Sequence, residues 1–379
     1  MDFGFAAEDD VFRAEVRGWL SAHVRPGQDR REWERVLGAA GWIGIGWREG
    51  GYGNRVASLI QQVVWAEEYA RSGAPGRSGH IGENLLAPTL LVHGTDEQKS
   101  RFLPPIAAGE ELWCQGYSEP GAGSDLAGVR TRGERGADGR YRVTGQKIWT
   151  SLAHEADWCF VLARTEAGSR RHHGLTFLLV PMDQPGRVEV RPIRQMTGTS
   201  EFNEVFFDGA RAEECVGAEG EGWRVAMSLL GFERGVSTLA QQIGFAAELG
   251  RVVETAAKTG AVEDPAVRAE LVCLWAELRT MRWNALRTLG GSAGLGAPSV
   301  AKLLWGGWHQ RLGEVAVRVR GAAAGAGPAD WGPCTPYELD DVQRQFLFSR
   351  ADTIYGGSDQ IQRTIIAERV LGLPRQPRG

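Results

Sequence analysis

Apolar positions over residues 8–110 recur at helical spacing. Phe12, Val16, Trp19 and Leu20 share one helix face, and Ile60, Val63, Val64 and Glu67-Glu68-Tyr69 keep the spacing of another. Gly50-Gly51-Tyr52-Gly53-Asn54 reads as a loop. Thr95, three residues before Gln98, has the spacing of a capping box and opens a further helix. From about residue 111 to 220 the period changes. Residues 141–145 and 147–150 read as short strands around a glycine, and 158–162, 175–180, 188–190 and 204–207 as further strands separated by Gly and Asp clusters. Short strands at this density predict a compact sandwich or barrel, not a βαβ sheet. No strand leads into G-x-G-x-x-G and a helix, which argues against a Rossmann site. From Gly222 the helical period returns near 223–258, 265–290, 299–323 and 358–371, broken by glycines at 290–296 and by a Gly/Pro-rich loop from 321 to 336.

A length of 379 residues allows two or three domains, and 42% hydrophobic with 24% charged residues is the balance of an ordinary globular protein. A net charge of −4 without a dense Lys/Arg run argues against broad nucleic-acid binding. The five cysteines, Cys114, Cys159, Cys215, Cys273 and Cys334, form no CxxC pair and read as reduced thiols. His172-His173 lacks partners at metal spacing, so no metal site is expected. The acidic Met1–Asp10 segment lacks the pattern of a signal peptide, and no apolar run is long enough to cross a bilayer. The expected location is the cytoplasm.

Two segments of the β-rich region carry chemistry. Gly121-Ala-Gly-Ser-Asp125 is a turn whose glycines let main-chain amides approach a ligand closely, and such amides can cradle a pyrophosphate or bond a flavin ring. Alone it reads equally well as an ordinary turn. In Gly145-Gln-Lys-Ile-Trp-Thr-Ser151, Trp149 can lie against a flat ring, and the hydroxyls of Thr150 and Ser151 can donate to polar ring atoms. The competing reading of Trp149 is a core aromatic, in a chain with 14 tryptophans. Paired, the two segments point to a large planar cofactor gripped from a β domain.

The stretch Trp113-Cys-Gln-Gly-Tyr-Ser-Glu-Pro-Gly-Ala-Gly-Ser-Asp125, taken with residues 145–151, resembles the flavin-binding signatures of the acyl-CoA dehydrogenase family, and the resemblance spans the chain. It implies an α+β multidomain fold: an N-terminal α-helical domain over 1–111, a middle β-barrel or sandwich domain over 112–221, and a C-terminal four-helix-bundle domain over 222–379. The implied cofactor is FAD. Gln115, Tyr117 and Ser118 are placed along the flavin pyrimidine edge, and Gly123 in the glycine turn. Ser124 is placed at the cofactor phosphates or the substrate's pantetheine arm, Trp149 beside the isoalloxazine and Ser151 near its N5, with Thr150 also assigned to the cofactor. The family often has threonine at the last position; Ser151 keeps the hydroxyl.

The implied reaction is α,β-desaturation of an acyl thioester, the α-proton leaving to a base and the β-hydride to flavin N5. The base is a carboxylate whose burial raises its proton affinity. Family members supply it from one of two places. In Ile354-Tyr-Gly-Gly-Ser-Asp-Gln-Ile-Gln-Arg363 many members carry glutamate directly after the tyrosine; Gly356 stands there in this chain and cannot act as a base. The other place is the first helix after the β domain, where Glu233 occupies the position used by the isovaleryl and long-chain branches. Ala226, Leu229, Leu230, Glu233, Val236 and Ala240 share one helical face, and a carboxylate in an apolar stripe is costly unless paired or functional. A distant arginine partner, or a face open to solvent, is the competing reading. Arg234 lies about 100° around the helix and does not face Glu233; the resemblance gives it a role in organising the site or binding substrate. Gly356-Gly357 retains a main-chain amide able to donate to the thioester carbonyl. Ser358 and Gln360 match positions that reach the FAD of a neighbouring subunit, and Ser358 also reads as a helix cap. Glu119 and Asp125 read as loop-stabilising.

The chain departs from the homotetrameric pattern twice. Residues 258–265 lack the family's Arg-x-x-Phe-Gly stretch and residues 319–328 its Gln-x-x-Gly-Gly stretch, both of which hold the adenine half of FAD across a subunit interface. The pattern is similar to bacterial branches acting on steroid side chains, some built from two different subunits. A homodimer or homotetramer, or a heterotetramer with a related subunit, therefore stay open, as do acyl-CoA and acyl-carrier-protein substrates. The resemblance implies an electron-transferring flavoprotein as acceptor. Competing readings are a flavin monooxygenase or nitroalkane-oxidase-like enzyme on the same fold, and a non-catalytic subunit of a heteromeric dehydrogenase.

Overall fold

The computed structural model describes residues 6–232, 237–289, 294, 296–326 and 339–374. They divide into two compact units, one running to residue 195 and adding 200–237, the other combining 196–199 with 238 onward.

The first unit opens with α1 (Ala7–His23), α2 (Arg30–Ala39) and α3 (Leu59–Arg71). The expected stripe of α1 buries Val16 and Leu20 against Trp33, Leu37, Trp42 and Trp65. Glu67 and Glu68 fall on a buried face of α3 because Arg13 and Arg17 of α1 reach them at 2.9 and 2.8–3.0 Å. A π-turn, Gly82–Leu86, runs into α4 (Ala87–His93), and α5 (Asp96–Ala107) follows. The expected capping box starts α5: Thr95 Oγ1 accepts from Gln98 N at 3.2 Å, and Gln98 Oε1 accepts from Thr95 N at 3.1 Å.

Eight strands follow: β1 (Trp113–Gly116), β2 (Arg132–Arg135), β3 (Tyr141–Ser151), β4 (Trp158–Arg164), β5 (Leu175–Pro181), β6 (Val188–Ile193), β7 (Phe202–Arg211) and β8 (Glu214–Val216). Their order is β6-β7-β3-β2-β4-β5-β8, with β1 parallel to β4. The sheet rolls over its own core, because Val205 and Phe207 of β7 share one apolar cluster with Leu178 and Val180 of β5, which is not its neighbour. The opposite face, Phe160, Leu162, Phe177 and Leu179, packs on Leu86, Leu90, Phe102 and the first helix after the sheet, α6 (Gly222–Phe232), through Val225, Ala226 and Leu229.

Sequence reading split 141–150 into two strands; they form one strand. Gly145 does not break it, because a Cβ there would stand 2.5 Å from Thr131 Oγ1, so the glycine marks a close approach and not a turn. Strands β1, β2 and β8 were not anticipated; they are three or four residues long and show too little alternation.

The second unit contains α7 (Ser237–Thr259), α8 (Pro265–Leu289), α9 (Ala297–Arg320), α10 (Asp341–Phe348) and α11 (Asp359–Ile365), which continues into a π-turn, Ile366–Val370. Phe245, Leu249 and Val252 of α7, Leu271, Leu274 and Leu278 of α8, and Trp308, Leu312 and Val315 of α9 form its core. Gly321, at φ 59°, ends α9, and the start of the expected Gly/Pro loop is a 3-10 turn, Gly321–Gly325. Most of the glycine break at 290–296, and the part of the Gly/Pro loop from 327 onward, lie outside the described residues.

Candidate active site

The two signature segments meet at the end of β3. Between Lys147 and Thr150 the register against β7 slips, so β3 carries one extra residue. The bulge places Trp149 at φ 60°, a conformation a bulky residue adopts at a cost of about 1–3 kcal/mol. Trp149 is 55% exposed, its ring in T-shaped contact with Phe202 at a centroid distance of 6.1 Å. The core-aromatic reading of Trp149 is thus set aside: strain is spent to present a flat face outward. Thr150 is fully buried, and its Oγ1 has no hydrogen-bond partner among the described residues. Ser151 is half-buried, and Leu152, at φ 56°, closes the turn by donating its N–H to Glu201 O at 2.9 Å.

The bulge is tied to the glycine segment. Ile148 N donates to Ser118 O at 2.9 Å. Beneath it the Lys147 ammonium, fully buried, donates to Tyr117 O at 3.0 Å, Glu119 Oε1 at 2.9 Å and Leu162 O at 2.8 Å. The Glu119 carboxylate also accepts from Arg130 N at 2.7 Å and Thr131 N at 2.8 Å. Burial raises its pKa, but the Lys147 charge and the donated hydrogen bonds from Thr131, Arg130 and Lys147 outweigh it and hold Glu119 below the ordinary carboxylate range. Burial also holds Lys147 below the usual lysine value, despite Glu119. Glu119 pairs its main chain with Ala122, closing the turn that carries Gly123, Ser124 and Asp125 outward as exposed residues. Gln115 sits half-buried on β1, Tyr117 is buried, and Ser118 is half-buried. The structure thus ties Tyr117, Ser118 and Glu119 to Lys147 and Ile148, with Gln115 two residues before Tyr117, Gly123 and Ser124 following Ala122, and Trp149, Thr150 and Ser151 following Ile148. Sequence reading missed Lys147 as the centre of these ties. The signal was present: strand alternation puts Lys147 inward with Tyr141 and Val143, where a charge needs a partner.

Glu233 and Arg234 lie outside the described residues, as do Gly235 and Val236. Helix α6 buries Val225, Ala226 and Leu229.

In the second unit Gly356 and Gly357 form a left-handed turn, at φ 64° and 82°. Their carbonyls both accept from Gln362 Nε2 at 3.2 Å, so both are taken on one side. Neither glycine N–H donates to another described residue. A Cβ at Gly357 would stand 2.5 Å from Gln362 Nε2, which explains glycine there sterically as well as conformationally. Ser358 caps α11, its Oγ accepting from Ile361 N at 3.4 Å, and Gln360 is exposed on the first turn. The turn can thus offer free main-chain donors next to an empty side-chain position.

Among the described residues no group of His, Cys, Asp and Glu could hold a metal ion, and no helix is long and apolar enough to cross a membrane. His172 packs on Trp223 at a ring distance of 4.3 Å.

Three family models match the chain: Acyl-CoA dehydrogenase, N-terminal domain, over residues 6–110; middle domain, over 114–210; and C-terminal domain, over 220–371. The chain is similar to acyl-CoA dehydrogenase IpdE1 of Mycobacterium tuberculosis, at 54% identity over 98% of this chain and 99% of that one. Among solved structures it resembles the Tcur3481-Tcur3483 steroid ACAD, at TM-score 0.84 and 28% identity over 99% of this chain and 100% of that one. It also resembles the ChsE4-ChsE5 complex of Mycobacterium tuberculosis, at TM-score 0.82 and 30% identity over 99% of this chain and 100% of that one.

Proposed function

We propose, from the premise that this chain belongs to the acyl-CoA dehydrogenase family of oxidoreductases, that it desaturates an acyl-CoA thioester between Cα and Cβ. The observation that carries this reading is the strained, exposed Trp149, preceded by Ile148 whose N–H is tied to Ser118 O and followed by Thr150 whose buried hydroxyl has no partner among the described residues. An exposed flat face beside an unsatisfied polar atom fits a planar heterocycle with polar edges. Gln115, Tyr117, Ser118, Gly123, Ser124, Trp149, Thr150 and Ser151 would hold FAD, which supplies a hydride acceptor when bound; Ser358 and Gln360 are assigned to the FAD of an adjoining subunit. Glu233 takes the α-proton, Arg234 orders the site, and Ser124 contacts the pantetheine arm. The free amides of Gly356 and Gly357 donate to the thioester oxygen, where negative charge develops as the α-proton leaves.

Glycine at 356 leaves Glu233 as the carboxylate of the two family positions. Similarity to the Tcur3481-Tcur3483 steroid ACAD supports a bulky, alicyclic acyl group. The missing stretches at 258–265 and 319–328, with likeness to the ChsE4-ChsE5 complex, support a heterotetramer with a related subunit. Electrons then pass to an electron-transferring flavoprotein. The test is Glu233→Gln: turnover is expected to fall by about 10²–10⁴-fold with FAD retained. Full turnover by this variant would remove Glu233 from the mechanism.

A further inference from the structure

Behind the Gly356-Gly357 turn stands a charged cluster, all of it in the second unit. His309 on α9 reaches two carboxylates at once: Nδ1 lies 2.5 Å from Asp352 Oδ2, and Nε2 lies 2.8 Å from Glu248 Oε2 on α7. An acceptor on each ring nitrogen requires a proton on each, so the ring is an imidazolium. Burial lowers its pKa, but hydrogen bonds and charge from Asp352 and Glu248 outweigh this and push it up to about 9. Gln345 Nε2 gives Glu248 a second donor at 3.1 Å.

Asp352, 1% exposed, carries the tie outward. Its Oδ1 accepts from the Tyr355 hydroxyl at 2.6 Å, and its main-chain oxygen accepts from the Lys302 ammonium. That ammonium lies over the rings of Trp305 and Tyr355, at 4.0 and 5.0 Å. The Lys302 stem reaches the turn: its Cε is 3.7 Å from where a Cβ of residue 356 would stand. From the other side Gln362, 1% exposed, holds both glycine carbonyls. A buried ionic cluster is weak as a stabiliser, because desolvation offsets most of the attraction, but it fixes geometry. Apolar packing of Phe245, Trp308 and Leu312 already joins α7 to α9. The cluster adds direction: through Tyr355 it leads to the two glycines whose N–H groups are free among the described residues.

We propose that His309 is a positioning residue for the substrate carbonyl, fixing through Asp352 and Tyr355 the turn whose Gly356 and Gly357 amides polarise the thioester C=O. The inference rests on the acyl-CoA reading of the site.

The test is the isotope-edited infrared carbonyl stretch of pivaloyl-CoA, labelled with ¹³C at the carbonyl, bound to the FAD-loaded full-length protein. This thioester has no α-hydrogen and cannot be desaturated, so the band reports polarisation alone. The wild-type protein is expected to lower the stretch relative to free thioester, and His309→Gln to lose about half of that shift. With 3-cyclohexylpropanoyl-CoA, kcat of His309→Gln is expected to fall about tenfold while KM stays within about twofold. Tyr355→Phe removes one hydroxyl, leaves the bundle core in place, and should show the same changes at smaller size; it decides the matter if His309→Gln does not fold. An unchanged band shift in the variants overturns the role of His309, and so does a wild-type complex whose band does not move. A flavin that no acyl-CoA bleaches, combined with a shifted and His309-dependent band, would sink the desaturation reading while sustaining this inference.

Discussion

Replacing Lys147 by methionine tests whether the buried ion pair holds the signature loops together. The ammonium makes three hydrogen bonds at 2.8–3.0 Å and is fully buried. Its removal leaves the Glu119 carboxylate, 8% exposed, with two main-chain donors and no hydrogen-bonded countercharge, and strips the carbonyls of Tyr117 and Leu162 of this donor. Breaking one side of a buried pair costs about 3–5 kcal/mol, and the two surviving bonds to Glu119 place the loss near about 3 kcal/mol. In a unit of this size that lowers Tm by roughly 6–12 °C. Removing both charges, Lys147→Met with Glu119→Gln, should recover about 1 kcal/mol, because no uncompensated charge remains and the Gln oxygen still accepts from one of Arg130 N and Thr131 N, which bond different oxygens of Glu119. Urea titrations of FAD-stripped wild type, both single variants and the double, followed by tryptophan fluorescence, give the coupling directly. Single losses below about 1 kcal/mol, or strictly additive ones, would refute the reasoning.

Trp149→Gly relieves the φ 60° strain at an exposed position, so Tm should hold or rise slightly while FAD affinity falls at least about tenfold by fluorescence titration; a fall in Tm with FAD affinity intact would show the ring to be structural. The pKa of His309 is raised from 6.5 to about 9, so its contribution, about 3 kcal/mol, is fully present below pH 6.5 and lost as pH rises through about 9. The stability difference between wild type and His309→Gln should therefore be flat below pH 6.5 and shrink toward pH 9, with Glu248 and Asp352 bonded to the ring and Lys302 and Tyr355 bonded in turn to Asp352; urea midpoints across pH check this. Gly38→Ala, which would put a Cβ 2.2 Å from Ala108 O, should cost about 1–3 kcal/mol in thermal melts of the apoprotein.

The helical stripes of α1 and α3, the Thr95 cap and the change to period-two strands after residue 111 were legible because each rests on local spacing. The pairing of residues 115–125 with 145–151 was legible from motif chemistry. The bulge was not: it arises from register against β7, some fifty residues further on, and no local pattern marks it. The Lys147–Glu119 pair was half-visible, as a lysine at an inward position, but its partner is 28 residues away. The His309 cluster was invisible, since Glu248, His309 and Asp352 stand 61 and 43 residues apart along the chain and only the bundle brings them together. Gly356 was informative by what it lacks, and the structure adds that its carbonyl is occupied and its N–H free among the described residues.

The most direct measurement is an anaerobic visible-absorbance titration of the FAD-reconstituted protein with a panel of acyl-CoAs, run on wild type and Glu233→Gln together. The account predicts that a bulky alicyclic acyl-CoA bleaches the flavin bands of wild type and leaves those of Glu233→Gln coloured. A wild-type flavin that no thioester bleaches, or a Glu233→Gln flavin that bleaches at the wild-type rate, would contradict it.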